Sequence, residues 1–308
     1  MKPTLPRIAT LFSSITLVFL LTVNAFTADH LTVVDPATNL WRVQSSDGKE
    51  GYSAIKWGLK GDVQVPADYD GDGIKDVAVW RPSNGIWYIL RSRDGLVSRV
   101  QWGQTTWAPS GRIQDIPVPA DYDGDGVDDL AVWRPVDGRW YMLKSTNGFS
   151  PAKAFAFLLG SKGDTPVPAD YDGDGVTDAA VFRATENRWY ILQSKAGILD
   201  VHNFCSAGND RFVPADYTGD GRADLAVFRA GLWIVQDIAN DDVEQFEFGF
   251  ADSQPVPGDY DGDGTADYAV YRQGTWYFYD SGTPRFRTLT FGQEGDVPLT
   301  SPGVVAAR

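Results

Sequence analysis

The sequence predicts an all-β protein, a six-bladed β-propeller of four-stranded blades. The nine-residue segment "DYDGDGIKD" at residues 68–76 returns, with small changes, at residues 121, 170, 216 and 259. Each copy belongs to a unit of 41 to 53 residues that contains four short β-rich runs. No segment after residue 28 has a sustained helical period. Four-stranded units of this length, arranged radially, describe a propeller.

Each unit has the same order of predicted strands. A run such as "PVPADY" predicts the first, innermost strand, and "VAVWR" at 77–81 is apolar on both faces, as expected of a buried second strand. In the same unit "IWYIL" and "RVQWG" follow Ser-Asn-Gly and Asp-Gly turns and predict the third and fourth strands. An alanine in every second strand allows neighbouring sheets to pack closely. These alanines are Ala78, Ala131, Ala180, Ala226 and Ala269.

Six blades are favoured over seven because two repeated features each occur six times. The prolines are Pro66, Pro119, Pro168, Pro214, Pro257 and Pro298, and the tryptophans are Trp41, Trp87, Trp140, Trp189, Trp233 and Trp276. The first tryptophan precedes the first proline, and no tryptophan follows the last. We therefore expect residues 297–308 to share a closing blade with strands near 40–44 and 54–58, which removes an open sheet edge. Either residues 31–36 or residues 304–308 fill its second strand.

The first 28 residues have the layout of a secretory signal peptide. Two basic residues precede an apolar run that is short for a membrane span, and small residues follow at Ala25 and Ala28. We predict cleavage near these alanines, which leaves residues 29–308 as one propeller domain with no membrane span. The predicted product is a monomer that is secreted, either extracellular or periplasmic. Cys205 is the only cysteine, so an intramolecular disulfide is excluded.

The acidic loops are predicted to lie between the first and second strands and to bind calcium. In the first loop, Asp68, Asp70, Asp72 and Asp76 occupy positions 1, 3, 5 and 9, and the carbonyl of Ile74 stands at position 7. Alternating carboxylates on a tight turn bring their oxygens together, and the glycine at position 6 permits the bend. Ligands that are all oxygen favour calcium over zinc or copper. An EF-hand is excluded because position 12 is valine, not glutamate, in all five loops.

The pattern Asp-x-Asp-x-Asp-Gly-x-x-Asp before a hydrophobic strand, with an aromatic-Gly step in each unit, resembles the FG-GAP or VCBS-type repeats of secreted bacterial proteins and of the integrin alpha propeller. The resemblance extends over nearly all of the chain after the signal peptide and implies about five calcium sites. By position, the implied ligands in the other loops are Asp121, Asp123, Asp125, Val127 and Asp129; Asp170, Asp172, Asp174, Val176 and Asp178; Asp216, Asp220, Arg222 and Asp224; and Asp259, Asp261, Asp263, Thr265 and Asp267, with the position-7 residues acting through their carbonyls. The site near Thr218 should be the weakest, because threonine replaces the aspartate at position 3.

The distribution of charge agrees with this interpretation. The formal net charge is -14, and the implied ligand aspartates make up 19 of the 41 acidic residues, four in each of four loops and three in the remaining one. Outside the loops, acidic and basic residues nearly balance. Because no basic stripe is left to neutralise phosphates, nucleic acid is excluded as a partner.

The sequence favours a binding or adhesion module for an extracellular glycan or protein. The Trp-Tyr pairs of the repeats are predicted to be buried packing residues. Trp107 lies instead in an insertion, with Arg112 nearby, and insertions have no repeat packing to satisfy, so these two residues are the candidate ligand site. No catalytic constellation is visible, since His30 and His202 have no evident partners for catalysis. The alternative is a polysaccharide-degrading lyase or hydrolase on a propeller scaffold.

Overall fold

The computed structural model describes residues 30–48, 53–108, 111–204 and 208–299, without the side chains of 106–113. In this part of the chain the strands form six four-stranded antiparallel sheets and one two-stranded sheet. The prediction of a six-bladed propeller is therefore confirmed. The predicted signal peptide, residues 1–28, lies outside the described residues. In the described part, no helix has the length and apolar character needed to span a membrane.

The strands follow the repeat. The first three are His30–Asp35 (β1), Leu40–Ser45 (β2) and Ser53–Lys56 (β3). Blade 1 is Val63–Gln64 (β4), Val77–Arg81 (β5), Ile86–Leu90 (β6) and Val97–Gln101 (β7), and a hairpin of Thr105–Ala108 (β8) and Gly111–Gln114 (β9) follows it. Blade 2 is Ile116–Pro117 (β10), Leu130–Arg134 (β11), Arg139–Leu143 (β12) and Phe155–Leu158 (β13), with 3₁₀ turns at Ser145–Asn147 and Pro151–Lys153. Blade 3 is Thr165–Pro166 (β14), Ala179–Arg183 (β15), Arg188–Leu192 (β16) and Leu199–Asn203 (β17). Blade 4 is Arg211–Phe212 (β18), Leu225–Arg229 (β19), Leu232–Gln236 (β20) and Val243–Glu247 (β21), and blade 5 is Gln254–Pro255 (β22), Tyr268–Arg272 (β23), Thr275–Asp280 (β24) and Arg285–Thr290 (β25), before Val297–Leu299 (β26).

The closing blade combines strands from the two ends of the described chain. Its strand order is β26-β1-β2-β3, and Val33 pairs with Pro298 across the junction. The expected shared blade is present, and β1, not residues 304–308, fills its second strand. Burial accounts for this outcome, because Leu31 and Val33 of β1 have no exposed surface. Residues 304–308 lie outside the described part.

The innermost strand of each blade is shorter than the predicted run. In blade 1 the strand covers two residues, after which the N–H of Val65 donates to the carbonyl of Ala78 at 3.0 Å and Ala67 pairs with Asp76 as an isolated bridge. Pro66 stands between these contacts and has no N–H to donate, so the ladder is interrupted there. This break separates the strand from the acidic loop that follows.

The repeated tryptophans and alanines form the core, as predicted. Each tryptophan of the six-fold series is at most 1% exposed, and the five alanines have no exposed surface. Trp87 donates its indole N–H to the carbonyl of Trp102, in the aromatic-Gly step of the same unit, at 3.0 Å. One buried cluster contains Ala78 and Trp87 of blade 1 together with Leu130 of blade 2, so the core is continuous between neighbouring blades.

The two ends of the propeller carry different chemistry. The acidic loops lie at one end, here called the loop face. At the other end, here called the arginine face, the last residue of the second strand forms a two-pronged ion pair with an aspartate just before the first strand; Arg81 and Asp62 make contacts of 2.9 and 2.8 Å. The same pairing joins Arg134 to Asp115, Arg183 to Asp164, and Arg229 to Asp210, and Arg42 contacts Asp296. These aspartates were not identified from the sequence, although the recurrent Asp three residues before Val-Pro is visible there.

Candidate metal sites on the loop face

The acidic loops are shaped by hydrogen bonds to the first aspartate. In loop 1 (residues 68–76), the carboxylate of Asp68 accepts the N–H groups of Gly71 and Gly73, each at 2.7 Å. The ninth residue, Asp76, accepts the N–H of Tyr69 at 3.0 Å. Buried Tyr69 in turn donates its hydroxyl to the carbonyl of Val65 at 2.7 Å. The same tyrosine bond recurs in all five loops, so this residue anchors each loop to its innermost strand.

Four of the five loops bring three carboxylates together. In each group, one oxygen from every aspartate lies within 4.8 Å of the others. The groups are Asp68, Asp70 and Asp76; Asp121, Asp123 and Asp129; Asp170, Asp172 and Asp178; and Asp259, Asp261 and Asp263. The first three join positions 1, 3 and 9, whereas the last joins positions 1, 3 and 5. These groups can hold a metal ion.

In loops 1 and 2, the aspartate at position 3 carries an oxygen without a hydrogen-bond partner. Oδ1 of Asp70 and Oδ1 of Asp123 are buried and accept no hydrogen bond, and the nearest ion-pair contact of Asp70 is Arg93 Nε at 3.9 Å. A buried carboxylate oxygen without a partner is costly unless a cation or proton neutralises it. Because the surrounding donors are all oxygen, the residues fit a hard cation such as calcium.

Positions 5 and 7 lie beside these groups in loop 1. Asp72 accepts the N–H of Ile74 at 2.9 Å and the hydroxyl of Ser92 at 2.9 Å. The carbonyl of Ile74 is 3.5 Å from the same hydroxyl. The predicted ligands at positions 5 and 7 are therefore neighbours of the cluster, connected to each other through a serine.

This serine is a site residue that sequence reasoning missed. The N–H of Ser92 donates to Oδ1 of Asp76 at 2.6 Å, so the serine holds the ninth aspartate in place. Ser145, Ser194 and Ser281 make the same bond in their blades. The signal was present in the repeat alignment, because a serine follows the third strand by two residues in blades 1, 2 and 3 and by one residue in blade 5. In blade 4 the corresponding residue is Ile238.

Loop 4 keeps the shape of the others without their cluster. Asp216 accepts the N–H groups of Gly219 and Gly221 at 2.6 and 2.8 Å, as in the other loops. Thr218 replaces the third aspartate, and no three-carboxylate group forms in this described loop. Oδ1 of Asp224 has no partner, in contrast to its equivalents, which accept a serine N–H. The missing carboxylate group agrees with the prediction that this site is the weakest, and Ile238 lacks the hydroxyl that Ser92 donates to Asp72 in loop 1.

Neighbouring loops are connected directly. The N–H at position 8 of each later loop donates to the carbonyl of position 1 in the preceding loop, at 2.7, 2.8, 2.7 and 2.6 Å around the face; the donors are Asp128, Thr177, Ala223 and Ala266. In the first four loops, close contact with the following loop also favours glycine at position 4. A Cβ on Gly71 would lie 2.8 Å from a methyl group of Val127 in the next loop, and its φ is +71°. The five loops thus form one continuous array.

Burial raises the pKa of the ninth aspartate in every loop. The pKa reaches about 7 for Asp76, Asp129 and Asp224, and about 6 for Asp178 and Asp267. Removal from water is the largest cause in all five, and a neighbouring loop carboxylate adds to it. Near neutral pH, the loops therefore favour a bound proton or a bound cation.

These shifts predict an unusual pH dependence for the metal-free protein. The folded pKa lies above the ordinary aspartate value of 3.8, so the folded state holds more protons between pH 4 and about 7. Raising the pH through this window should destabilise the chelated protein, on the order of 1 kcal/mol per loop after solvent screening. Melting temperatures at pH 5 and pH 8, in EDTA and in calcium, test this. Calcium should stabilise more at pH 8, and an equal effect at both pH values would contradict the assignment.

The hairpin that carries the candidate ligand residues lies on the arginine face. Trp107 and Arg112 are register partners in the hairpin of β8 and β9, between blades 1 and 2. Their side chains lie outside the described part, as does Cys205. The hairpin is anchored where the N–H of Gln104 donates to Asp115 at 2.9 Å and the hydroxyl of Thr105 donates to the carbonyl of Pro82 at 2.7 Å.

A family model described as the FG-GAP-like repeat matches residues 68–132 and 121–181. Each match contains two consecutive acidic loops in full. The matched unit therefore includes the carboxylate groups described above. No curated protein matches the chain significantly by sequence.

Several solved structures share the fold. An Agrocybe aegerita lectin that specifically recognises non-reducing terminal N-acetylglucosamine is 15% identical, with a TM-score of 0.59 over 89% of this chain and 85% of the lectin. TolB from Acinetobacter baumannii is 14% identical, with a TM-score of 0.56 over 89% of this chain and 64% of TolB. A catalytically inactive virginiamycin B lyase from Staphylococcus aureus with quinupristin is 9% identical, with a TM-score of 0.50 over 86% of each chain. At these identities the likeness concerns the fold alone.

Proposed function

We propose that this chain, a β-propeller of the FG-GAP/VCBS repeat type, is a secreted, calcium-stabilised binding module for extracellular carbohydrate. The observation that carries the proposal is the set of four carboxylate groups at equivalent places, two of which contain a buried oxygen without a partner. Calcium would be held by the aspartates of these groups and would neutralise their charge. In the extracellular medium calcium is abundant enough for sites of millimolar affinity.

The proposed role of calcium is structural. The loops lie between the first two strands of each blade and are bonded to their neighbours, so a bound ion would stiffen the whole loop face. The arginine face does not depend on the ion, because its buried aspartates are neutralised by arginine. We therefore assign ligand recognition to the arginine face, where a hairpin is inserted between blades 1 and 2.

A role without catalysis agrees with the partners of the buried acids. On the loop face the aspartates form the candidate metal groups, and on the arginine face they form ion pairs, so a structural role accounts for both sets of carboxylates. His202 lies 4.0 Å from Asp241, whose side chain is 73% exposed. A solvated pair of this kind is a poor acid-base catalyst without a neighbouring nucleophile. The recognition of N-acetylglucosamine by a lectin of the same fold is consistent with carbohydrate as the ligand class.

An array of extracellular glycans, probed with and without calcium, tests the function. We expect selective binding with no cleavage of the bound glycan. Binding should persist in EDTA at temperatures where the chelated protein stays folded, because the arginine face does not depend on the ion. The variant Trp107→Ala should lower glycan affinity while its free energy of unfolding stays within about 0.5 kcal/mol of the parent, the range expected when no packing contact is lost. New reducing ends or unsaturated products would favour the enzyme alternative. Lost stability with retained affinity would make Trp107 a packing residue.

A further inference from the structure

An open groove lined by aromatic side chains lies between blades 4 and 5. Its volume is about 600 Å³, and it is lined by Glu247, Phe248 and Phe250 from blade 4 and by Tyr277 and Phe286 from blade 5. Phe250 follows the aromatic-Gly step that connects the two blades, so the groove opens toward the arginine face. Volumes of this size are typical of small-molecule sites.

The groove exists where blade 5 departs from the repeat. In blades 1, 2 and 3 the arginine of the ion pair also covers the ring of its own blade's tyrosine, at 4.3, 4.0 and 4.5 Å. In blade 5 the buried aspartate is replaced by Ser253, and Arg272 contacts the exposed Asp252 at 2.7 Å. Arg272 then lies over Phe250, 4.6 Å from its ring centre. Tyr277, the equivalent of the covered tyrosines, lines the groove instead.

The aromatic rings of the groove are arranged at angles to one another and are partly exposed. Phe250 and Tyr277 meet edge to face at 5.2 Å, and Phe248 and Phe286 do so at 6.2 Å. Phe286 is 59% exposed and Phe250 is 38% exposed. Exposed aromatic rings gathered around one groove are a feature of binding sites, whereas single apolar residues scattered over a surface are normal. The exposed carboxylate of Glu247 adds a hydrogen-bond acceptor at the edge.

We propose that this aromatic groove binds one or more sugar rings of a neutral oligosaccharide, an inference that rests on the proposed carbohydrate-binding function. Aromatic faces carry partial negative charge and attract the weakly positive C–H groups of a pyranose face, while a carboxylate accepts hydrogen bonds from hydroxyl groups. The carboxylate of Glu247 at the edge of the groove disfavours an acidic glycan. A protein partner would need a contact area well beyond one groove, roughly 800 Å² on each side.

Binding of cellotriose, mannotriose and triacetylchitotriose to the full chain in saturating calcium tests the groove. We expect at least one trisaccharide to bind, and Phe286→Ala and Phe250→Ala to lower its affinity at least about tenfold, since stacking on these rings is lost. Leu199→Ala is the matched control. Leu199 occupies the same register in blade 3, pairs with Leu192 as Phe286 pairs with Tyr279, and is 52% exposed. This control should leave affinity unchanged, and all three variants should melt close to the parent.

The possible outcomes distinguish the groove proposal from the proposed function. If a trisaccharide binds and the Phe250 and Phe286 variants retain full affinity, the groove proposal is overturned while the module still binds carbohydrate. If only Trp107→Ala weakens that binding, recognition belongs to the hairpin of β8 and β9. If none of the trisaccharides binds and the glycan array is positive only for acidic glycans, the neutral-sugar assignment is wrong. If no glycan on the array binds, both the proposed function and the groove proposal are wrong.

Discussion

Removing calcium with EDTA should lower the melting temperature by about 5 to 10 °C for each site that calcium occupies. The expectation follows from linkage, because an ion at 100 times its dissociation constant adds roughly 2.7 kcal/mol, and 1 kcal/mol shifts the melting temperature of a protein of this size by about 2–4 °C. Differential scanning calorimetry in calcium, in magnesium and in EDTA makes the measurement. Magnesium should restore less stability, since it demands a tighter octahedral shell. An unchanged melting temperature in EDTA would contradict the assignment of the loops as metal sites.

Two substitutions at the same loop position provide the control. Asp70→Ala removes a buried carboxylate from a complete group, and isothermal titration should then detect one calcium fewer than in the parent. Thr218→Ala changes position 3 of loop 4, which has no such group, and should leave the calcium count unchanged. Both changes replace the position-3 residue with alanine, but only Asp70 belongs to a three-carboxylate group. Equal losses for both variants would contradict the ranking of the loops.

Deleting residues 297–308 should abolish cooperative folding or leave an aggregating protein. The deletion removes β26, which pairs with β1 between Val34 and Val297 and between Thr32 and Leu299. It also leaves the inner edge of the closing blade unpaired, and open β edges recruit other chains. Size-exclusion chromatography and thermal unfolding measure the result.

A shorter deletion is the control for closure. Removal of residues 301–308 keeps β26 and should preserve a monomer with the parent's melting temperature. If the longer deletion also leaves a monomer with an unchanged melting temperature, the closing strand does not stabilise the propeller. If both deletions aggregate, residues 301–308 contribute to the fold in a way that β26 alone does not explain.

Periodicity in the sequence was sufficient for the architecture. A strand that recurs with its tryptophan, alanine and acidic loop must occupy an equivalent environment each time, so the count of six tryptophans determined the count of blades. The aspartates at positions 1 and 3 could be assigned to a common cluster for the same reason. Local spacing on a tight turn determines which side chains converge, and this depends little on the rest of the chain.

Contacts between segments distant in sequence were decided only by the tertiary structure. The choice of β1 for the closing blade depended on the burial of Leu31 and Val33, which no local pattern measures. Ser92 reaches Asp76 across 16 residues, and Asp62 reaches Arg81 across 19, so their roles appeared only when strands were paired. The aromatic groove occurs where Ser253 replaces the buried aspartate and Arg272 lies over the ring of Phe250 from the preceding blade. Such contacts depend on how strands pair and how neighbouring blades pack, whereas the repeat itself is specified residue by residue along the chain.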